Sequence, residues 1–373
     1  MVSIMKIPFI SLKEQHRAIR VEVRDAVSRV FDSQQFILKD SVAELEAKVA
    51  RFTGTKYAVS VASGSDALYL ALWALGIKAG DEVLTTPFTF FASASAISRL
   101  GAKPVFADID PCTFNLDPSK LEDKISRKTK AILPVHLFGL CCDMSRVMKI
   151  ARKHGLAVVE DAAQAFGSEC QGRRAGSIGD AGCFSFYPTK NFGGAGDGGM
   201  VTTSSRETAE KIRLLRDHGS SKKYHHDLIG INSRLDEIQA AVLLVKFKHI
   251  QKWNRKREGH ARFYDRELRG LPLQRPSAPA GFEHTYHLYS ILADDRDALK
   301  VFLEKRGVGV AIHYPLPLHL QAWYKELGHR KGDLPVSESV SKRILSLPMY
   351  PELSARSRAF VVSSIRAFYG KAR

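Results

Sequence analysis

No segment of this sequence runs uncharged for the ~20 residues that a membrane-spanning helix requires, so no membrane partner is expected. Cysteine is scarce and odd in number. Cys112, Cys141, Cys142, Cys170 and Cys183 show neither C-x-x-C spacing nor a paired framework, which argues against a disulfide scaffold and for reduced thiols used as small buried residues. The side chains of adjacent Cys141 and Cys142 diverge, so they read as two unrelated small residues and not as a redox pair. Met1 to Lys13 holds a short apolar patch but no signal-peptide core or cleavage site, and a cytoplasmic chain is expected. No repeat or low-complexity tract is present, and no metal site is expected. Acidic residues are also in short supply, 39 Asp and Glu against 56 Lys and Arg, for a net charge of +17. Such a balance invites a polyanion, whether nucleic acid, membrane surface or phosphorylated substrate. Yet no helix-turn-helix, zinc module or aromatic platform accompanies the basic cluster Lys246, Lys248, Lys252, Arg255, Lys256, Arg257 and Arg262. That cluster reads as the solvated face of a long helix, and no nucleic acid partner is expected.

What the sequence does contain is alternation. Strands are expected at Tyr57 to Val61, Glu82 to Thr85, Pro104 to Asp108, Ala131 to His136, Leu156 to Glu160, Cys183 to Phe186 and Met200 to Thr203. Helices are expected between them at Asp66 to Leu75, Phe90 to Leu100 and Ser145 to His154, the last two ended by Gly101 and Gly155. Apolar strands alternating with helices imply an α/β fold, a mainly parallel sheet covered on both faces. From Ser233 to about Leu268 the pattern is almost unbroken helix, and Pro272, Pro276 and Pro279 then interrupt it. Beyond lie a strand-like stretch (Tyr286 to Leu292), a helix (Asp295 to Arg306) and a strand-like piece (Val308 to His313). The 373 residues accordingly divide into a large catalytic domain, 1–250, and a smaller C-terminal α+β domain, 251–373.

Gly194-Ala195-Gly196-Asp197-Gly198-Gly199 satisfies the G-x-G-x-x-G dinucleotide fingerprint. That motif must open a helix whose amides meet a pyrophosphate. Here the glycines run into Met200-Val201-Thr202-Thr203, a β-type stretch, so a tight turn with close backbone approach is expected instead.

Ligands of an open α/β sheet gather beyond the carboxyl ends of its strands. The polar residues there are Ser63-Gly64-Ser65, Asp161 with Gln164, and Ser185 with Lys190. Ser63-Gly64-Ser65-Asp66 stands between a strand and a helix, where free amides make either a phosphate cup or an ordinary N-cap. Asp161 ends an apolar strand and needs a cation or donor, which a protonated pyridine nitrogen or a structural partner would supply. Lys190 follows the aromatic run Phe184-Ser185-Phe186-Tyr187. Enclosed by apolar groups it becomes a nucleophilic amine, and otherwise it is a surface side chain.

The set, with its flanking text, resembles the DegT/StrS-type sugar aminotransferases, within the aspartate-aminotransferase (fold-type I) superfamily of pyridoxal 5'-phosphate (PLP) enzymes. The resemblance rests on Ala62-Ser63-Gly64-Ser65-Asp66-Ala67-Leu68, Pro134-Val135-His136-Leu137-Phe138-Gly139, Glu160-Asp161-Ala162-Ala163-Gln164-Ala165, Ser185-Phe186-Tyr187-Pro188-Thr189-Lys190-Asn191 and Gly230-Ile231-Asn232-Ser233-Arg234. It runs from about Pro8 to Pro351. It implies that Lys190 carries the cofactor as a Schiff base and shuttles the substrate proton. Asp161 would hold the pyridinium, Gln164 would lie near the phenolic oxygen, and Phe90 would stack on the ring. Gly64, Ser65 and Ser185 would bind the phosphate, with Asn232 reaching it from the neighbouring subunit of a homodimer. Ser65 stands where many relatives carry threonine, and the hydroxyl is kept. His313-Tyr314-Pro315-Leu316-Pro317-Leu318-His319 resembles a segment of relatives that aminate C3 of a keto-sugar. His313, Tyr314, Tyr224 and His225 are the candidate sugar contacts, the last two across the dimer.

The implied reaction cycles PLP and its amine form, pyridoxamine 5'-phosphate (PMP), passing an amino group from glutamate to a 3-keto nucleotide-sugar linked to dTDP or UDP. Amination at C4 is the nearest alternative. A related PMP-dependent sugar dehydratase carries histidine where this chain has Lys190, and a non-catalytic regulator or DNA-binding protein is the rival from another class.

Overall fold

The computed structural model describes residues 5–371, so the first four residues of the N-terminal apolar patch lie outside it. Two helices that the alternation did not reveal come first, α1 (Lys13–Ser33) and α2 (Asp40–Thr53). The chain then enters β1 (Tyr57–Val61), α3 (Gly64–Ala74), β2 (Glu82–Thr85), α4 (Ala92–Arg99), β3 (Lys103–Phe106) and β4 (Thr129–Leu133). Next come α5 (Met144–His154), β5 (Ala157–Asp161), a ribbon of β6 (Glu169–Cys170) and β7 (Arg173–Arg174), β8 (Ala181–Ser185) and β9 (Gly199–Thr203). α6 (Arg206–Leu215) leads to a hairpin of β10 (Ser220–Lys222) and β11 (His225–His226), then to α7 (Glu237–Phe247) and α8 (Ile250–Glu267). The remainder holds β12 (Phe282–Glu283), β13 (Tyr289–Leu292), α9 (Arg296–Lys305), α10 (Pro335–Arg343), β14 (Ile344–Leu347) and α11 (Ala355–Lys371).

Seven strands form one sheet in the order β1-β9-β8-β5-β4-β2-β3. Only β9 runs against its neighbours, so the expected mainly parallel α/β sheet is what the chain builds. Side chains alternate across a strand, and the cores on the two faces record it. Ala58, Leu84, Val158, Phe184 and Met200 pack into one core with α1, α2, α5 and α7. Val59, Val83, Val159, Cys183 and Val201, each one position away, pack into the other with α3, α4 and α6. A third core gathers Ile7 with residues from Ala261 to Ile365, around β13 and β14.

Two expectations are corrected. The continuous helix from Ser233 is two helices. Asp236 caps the first, its Oδ1 accepting from the Gln239 amide at 2.8 Å, so helix starts only at Glu237. The first helix ends at Phe247 and the second starts at Ile250; the second spans two cores, with Ile250 and Trp253 in the first and Ala261 and Tyr264 in the third. The strand-like piece Val308 to His313 makes only isolated bridges, Val308 to Ile7 and Ala311 to Ser346. Its two ends meet different partners, so no ladder propagates.

The basic cluster is corrected too. Lys248, Lys252, Arg255, Lys256 and Arg262 are exposed, but Arg257 is buried and Lys246 is half-buried. Arg257 Nη1 donates to the carbonyls of Tyr286, His287 and Met349 at 3.3, 3.3 and 2.9 Å.

The glycine run opens β9, as a turn with close approach requires. A Cβ on Gly199 would stand 2.3 Å from the Ser63 carbonyl oxygen. Gly199→Ala is expected to cost at least about 1–3 kcal/mol by overpacking, read as a lowered urea midpoint. A midpoint equal to that of the parent would contradict this packing.

Candidate functional site

The first strand ends against the start of a helix apolar on nearly every side. Ala67, Leu68, Leu70, Ala71 and Leu72 of α3 are all buried, which fixes the helix under the sheet's edge. Ser63 caps it, its hydroxyl accepting from the Asp66 amide at 3.1 Å. The amides of Gly64 and Ser65, at the first two helical positions, have no intrahelical acceptor and sit at the positive end of the helix dipole. Gly64 packs so tightly on the end of β8 that a Cβ there would lie 2.5 Å from Ser185 Cβ. The three residues proposed for the phosphate thus meet in one place.

Alternation along β5 sends two neighbouring carboxylates to opposite faces. Glu160 faces the α5 side, where it accepts from His136 Nε2 (2.8 Å) and from the amides of Gly176, Ile178 and Gly179 (2.8, 2.6 and 2.7 Å). Burial alone would raise its pKa, but the His136 bond and these amides bring it below the ordinary carboxylate value. His136 accepts the Cys142 amide at Nδ1, so its proton lies on Nε2 and the ring is a neutral donor.

Asp161 faces α4. Its Oδ2 accepts from Ser93 at 2.7 Å and its Oδ1 from the Ala163 amide at 3.2 Å. Thr89 stands 2.9 Å behind Ser93, whose only proton is already given to Asp161, so Thr89 donates in turn. Burial pushes Asp161 above the ordinary value, against these bonds and the positive charge of Lys190.

Lys190 lies on the turn after β8, its amide bonded to the Tyr187 carbonyl at 2.9 Å. Its amine has no hydrogen-bond or ion-pair partner among the described residues. Desolvation lowers its pKa to about 8, with Asp161 pulling the other way. Gln164 Oε1 accepts the Phe138 amide at 2.8 Å and its Nε2 donates to Tyr314 Oη at 3.1 Å, leaving one amide proton unspent. The rings of Phe90 and Tyr314 are 6.3 Å apart, and Phe90 is 58% exposed. His313 stacks on Phe9 and bonds Ser346 Oγ at 3.1 Å, and burial, then the charge of Lys190, lowers its pKa to about 4.

Lys190, Asp161, Gln164, Phe90, His313 and Tyr314 are linked by these contacts or by their charges, and Gly64 with Ser185 forms the adjoining cup. Tyr224 and His225, on the exposed β10–β11 hairpin, are not brought into this set within one chain. Asn232 is exposed as well, although its neighbour Ser233 bonds the Ala62 amide (3.1 Å) and Asp66 Oδ2 (2.8 Å). Sequence reasoning missed Ser93, Asn191 and His287. Only Ser93 left a signal, one helical turn beyond Phe90.

A model of the DegT/DnrJ/EryC1/StrS aminotransferase family matches residues 17–366. This chain belongs to that family. It is 47% identical to the pleiotropic regulatory protein of Geobacillus stearothermophilus, over 98% of this chain and 99% of that one. It is 46% identical to the UDP-N-acetyl-3-dehydro-α-D-glucosamine 3-aminotransferase of Acidithiobacillus ferrooxidans, over 96% and 97%. Among solved structures, S. venezuelae DesV in complex with a ketimine intermediate superposes with a TM-score of 0.96 at 41% identity, covering 98% of each chain. The protein is therefore an aminotransferase of PLP fold type I, working with PLP and PMP.

The residues of this enzyme suit that cofactor. Asp161 is a buried carboxylate that burial holds above the ordinary value despite the charge of Lys190, so a pyridinium would answer its deficit. The cup offers unspent amides to a phosphate, and Gln164 keeps one proton for a phenolic oxygen.

Glu160→Gln is expected to destabilise the fold by about 3 kcal/mol, since the new amide would face buried donors. The folded-state pKa of Glu160 is lowered, so its contribution is present above the unfolded carboxylate value and is lost as pH falls through that range. Parent and variant urea midpoints should converge toward acid pH, and a constant gap would refute the ionised assignment.

Proposed function

We propose that this enzyme transfers an amino group from glutamate to C3 of a keto nucleotide-sugar linked to UDP or dTDP. The reading is carried by the enclosed, unpartnered Lys190 amine beside the buried Asp161 carboxylate. The name of the Acidithiobacillus relative supports the sugar and the carbon.

Bound PLP supplies an electron-withdrawing ring and carries the amino group between the two half-reactions. Gly64, Ser65 and Ser185 would hold its phosphate, Asp161 its ring nitrogen, Gln164 its phenolic oxygen, Phe90 its ring face and Lys190 its carbonyl carbon. With a pKa of about 8, the Lys190 amine is about one-tenth uncharged at neutral pH, against less than about one-thousandth for an ordinary lysine. Lys190 can therefore take a proton from the substrate carbon and return it. Ser93 and the Ala163 amide keep the two oxygens of Asp161 in place while it faces a cation. His313 and Tyr314 would position the sugar, and the buried rings of Phe88 and Phe138 exclude water from that wall.

We read the enzyme as a homodimer with shared active sites. Exposed Asn232 would reach the phosphate of a second copy, and exposed Tyr224 and His225 its sugar. The division into a catalytic part, 1–250, and a smaller part, 251–373, is supported by the third core, which draws on this chain from Ala261 onward but also on Ile7. The four buried free thiols fit a cytoplasmic enzyme. Among the described residues no helix is long and apolar enough to cross a membrane. The name of the Geobacillus relative favours a regulatory role as a second reading. A regulator has no need of a desolvated lysine beside a buried acid, which weighs against it.

The test is to incubate the PLP form with glutamate and a panel of 3-keto and 4-keto sugars on UDP and dTDP, following product mass and the position of the new amine. Amination at C3 is expected. Amination only at C4 would overturn the regiochemistry, and no amination of any sugar would overturn the reading. Lys190→Ala should lower turnover by more than about 10³-fold.

A further inference from the structure

Asn191, the residue after Lys190, is buried and its side-chain amide is fully spent. Its Nδ2 donates to Asn254 Oδ1 and to the Thr285 carbonyl, both at 3.0 Å. Because Thr285 offers a carbonyl, the orientation of this amide is fixed. Asn254 is fixed in the same way, since its Nδ2 donates to the Phe166 carbonyl at 3.0 Å. Asn191 Oδ1 is then an acceptor only. It lies 3.2 Å from His287 Nδ1, which must carry the proton.

His287 is buried, and the groups acting on it are all cationic or basic: Lys190, Arg257 and His313. Burial first, and these charges after it, hold its pKa well below the ordinary histidine value. The neutral ring donates one hydrogen bond without placing a second positive charge beside Lys190. A lysine or arginine at this position could not do so.

Both ends of this relay are anchored. The Thr285 amide donates to the Gly139 carbonyl at 2.9 Å, and Gly139 is packed so closely that a Cβ would lie 2.7 Å from Thr285 Oγ1. The carbonyls of Tyr286 and His287 are held by Arg257. Segment 285–287 is thus rigid, and its two contacts with Asn191 transmit that rigidity to the turn bearing the reactive amine.

We propose that His287 is a positioning residue for the reaction, holding the Lys190 turn through a neutral hydrogen bond to Asn191. This rests on Lys190 being the reacting amine. Cutting the bond leaves Asn191 Oδ1 buried and unpaired, so the turn loosens and water reaches the amine.

The test uses His287→Leu and His287→Asn, the latter supplying a neutral side-chain amide donor near the position of Nδ1. The primary readout is the pH midpoint for reductive methylation of Lys190 in cofactor-free protein, followed by peptide mass. The parent midpoint should be about 8. In His287→Leu it should rise by about one unit toward the ordinary lysine value. The added apolar bulk would by itself push the amine downward, so a rise reports release of the turn. In the PLP-loaded enzyme, turnover should fall about 10–100-fold with the sugar KM nearly unchanged. His287→Asn should restore both. An unmoved midpoint in folded His287→Leu, or an equal rise in both variants, would overturn the proposal. If His287→Leu fails to fold, His287→Ala, which removes the same donor, decides by the same midpoint. A parent midpoint near that of an ordinary lysine would overturn both this inference and the reading of Lys190 on which it rests. A parent midpoint of about 8 with no sugar aminated would overturn the proposed function and leave the enclosed Lys190 amine in place.

Discussion

A carboxylate and an amine share a dry site where β5 and β8 end side by side. Removal of water works against both charges, pushing Asp161 upward and Lys190 downward, and each is partly restored by the other. The proton inventory of the pair is therefore finely balanced, as proton transfer at a carbon demands. The balance depends on the backbone. β5 and β8 are parallel neighbours with Asp161 opposite Cys183, so acid and lysine turn leave the same edge of the sheet. The α3 start lies there too, because Gly64 and Gly199 allow β8, β9 and the cup to touch.

Glu160 shows how the same strand separates chemistry from anchoring. One residue from Asp161, and on the opposite face, it is surrounded by four donors and stays ionised. Its donors fix the loop 176–179 between the β6–β7 ribbon and β8. A buried charge with every lone pair engaged is rigid, and that rigidity leaves Asp161 free to be under-satisfied. The neutral tautomer of His136, set by the Cys142 amide, keeps a second charge out of this core.

The sheet was legible because strands covered on both faces must be apolar throughout, and the site was legible because polar residues at their carboxyl ends then stand out. Asp161, Gln164 and Lys190 are such residues. Ser93 and His287 were not legible, because their bonds to Asp161 and Asn191 span 68 and 96 positions, and a hydroxyl or imidazole on an apolar element has many uses. The break between α7 and α8 was hidden for a related reason. Local preference favours helix through Lys248 and His249, and no glycine or proline marks the interruption. Tyr224, His225 and Asn232 belong to a third kind: they are exposed, and a single chain does not bring them to Lys190.

The basic cluster acquires a role that charge counting obscured. Lys246, at the end of α7, donates to the carbonyls of Gly193 and Gly194 at 2.7 and 3.2 Å, and Gln239 on the same helix accepts the Ala195 amide at 2.8 Å. On the next helix, Asn254 bonds Asn191, and Arg257 holds the carbonyls of Tyr286 and His287. The turn from Lys190 to Ala195 is therefore gripped by two consecutive helices. Gln239 and Lys246 on the first helix and Asn254 on the second thus hold the segment that follows Lys190 at Asn191, Gly193, Gly194 and Ala195.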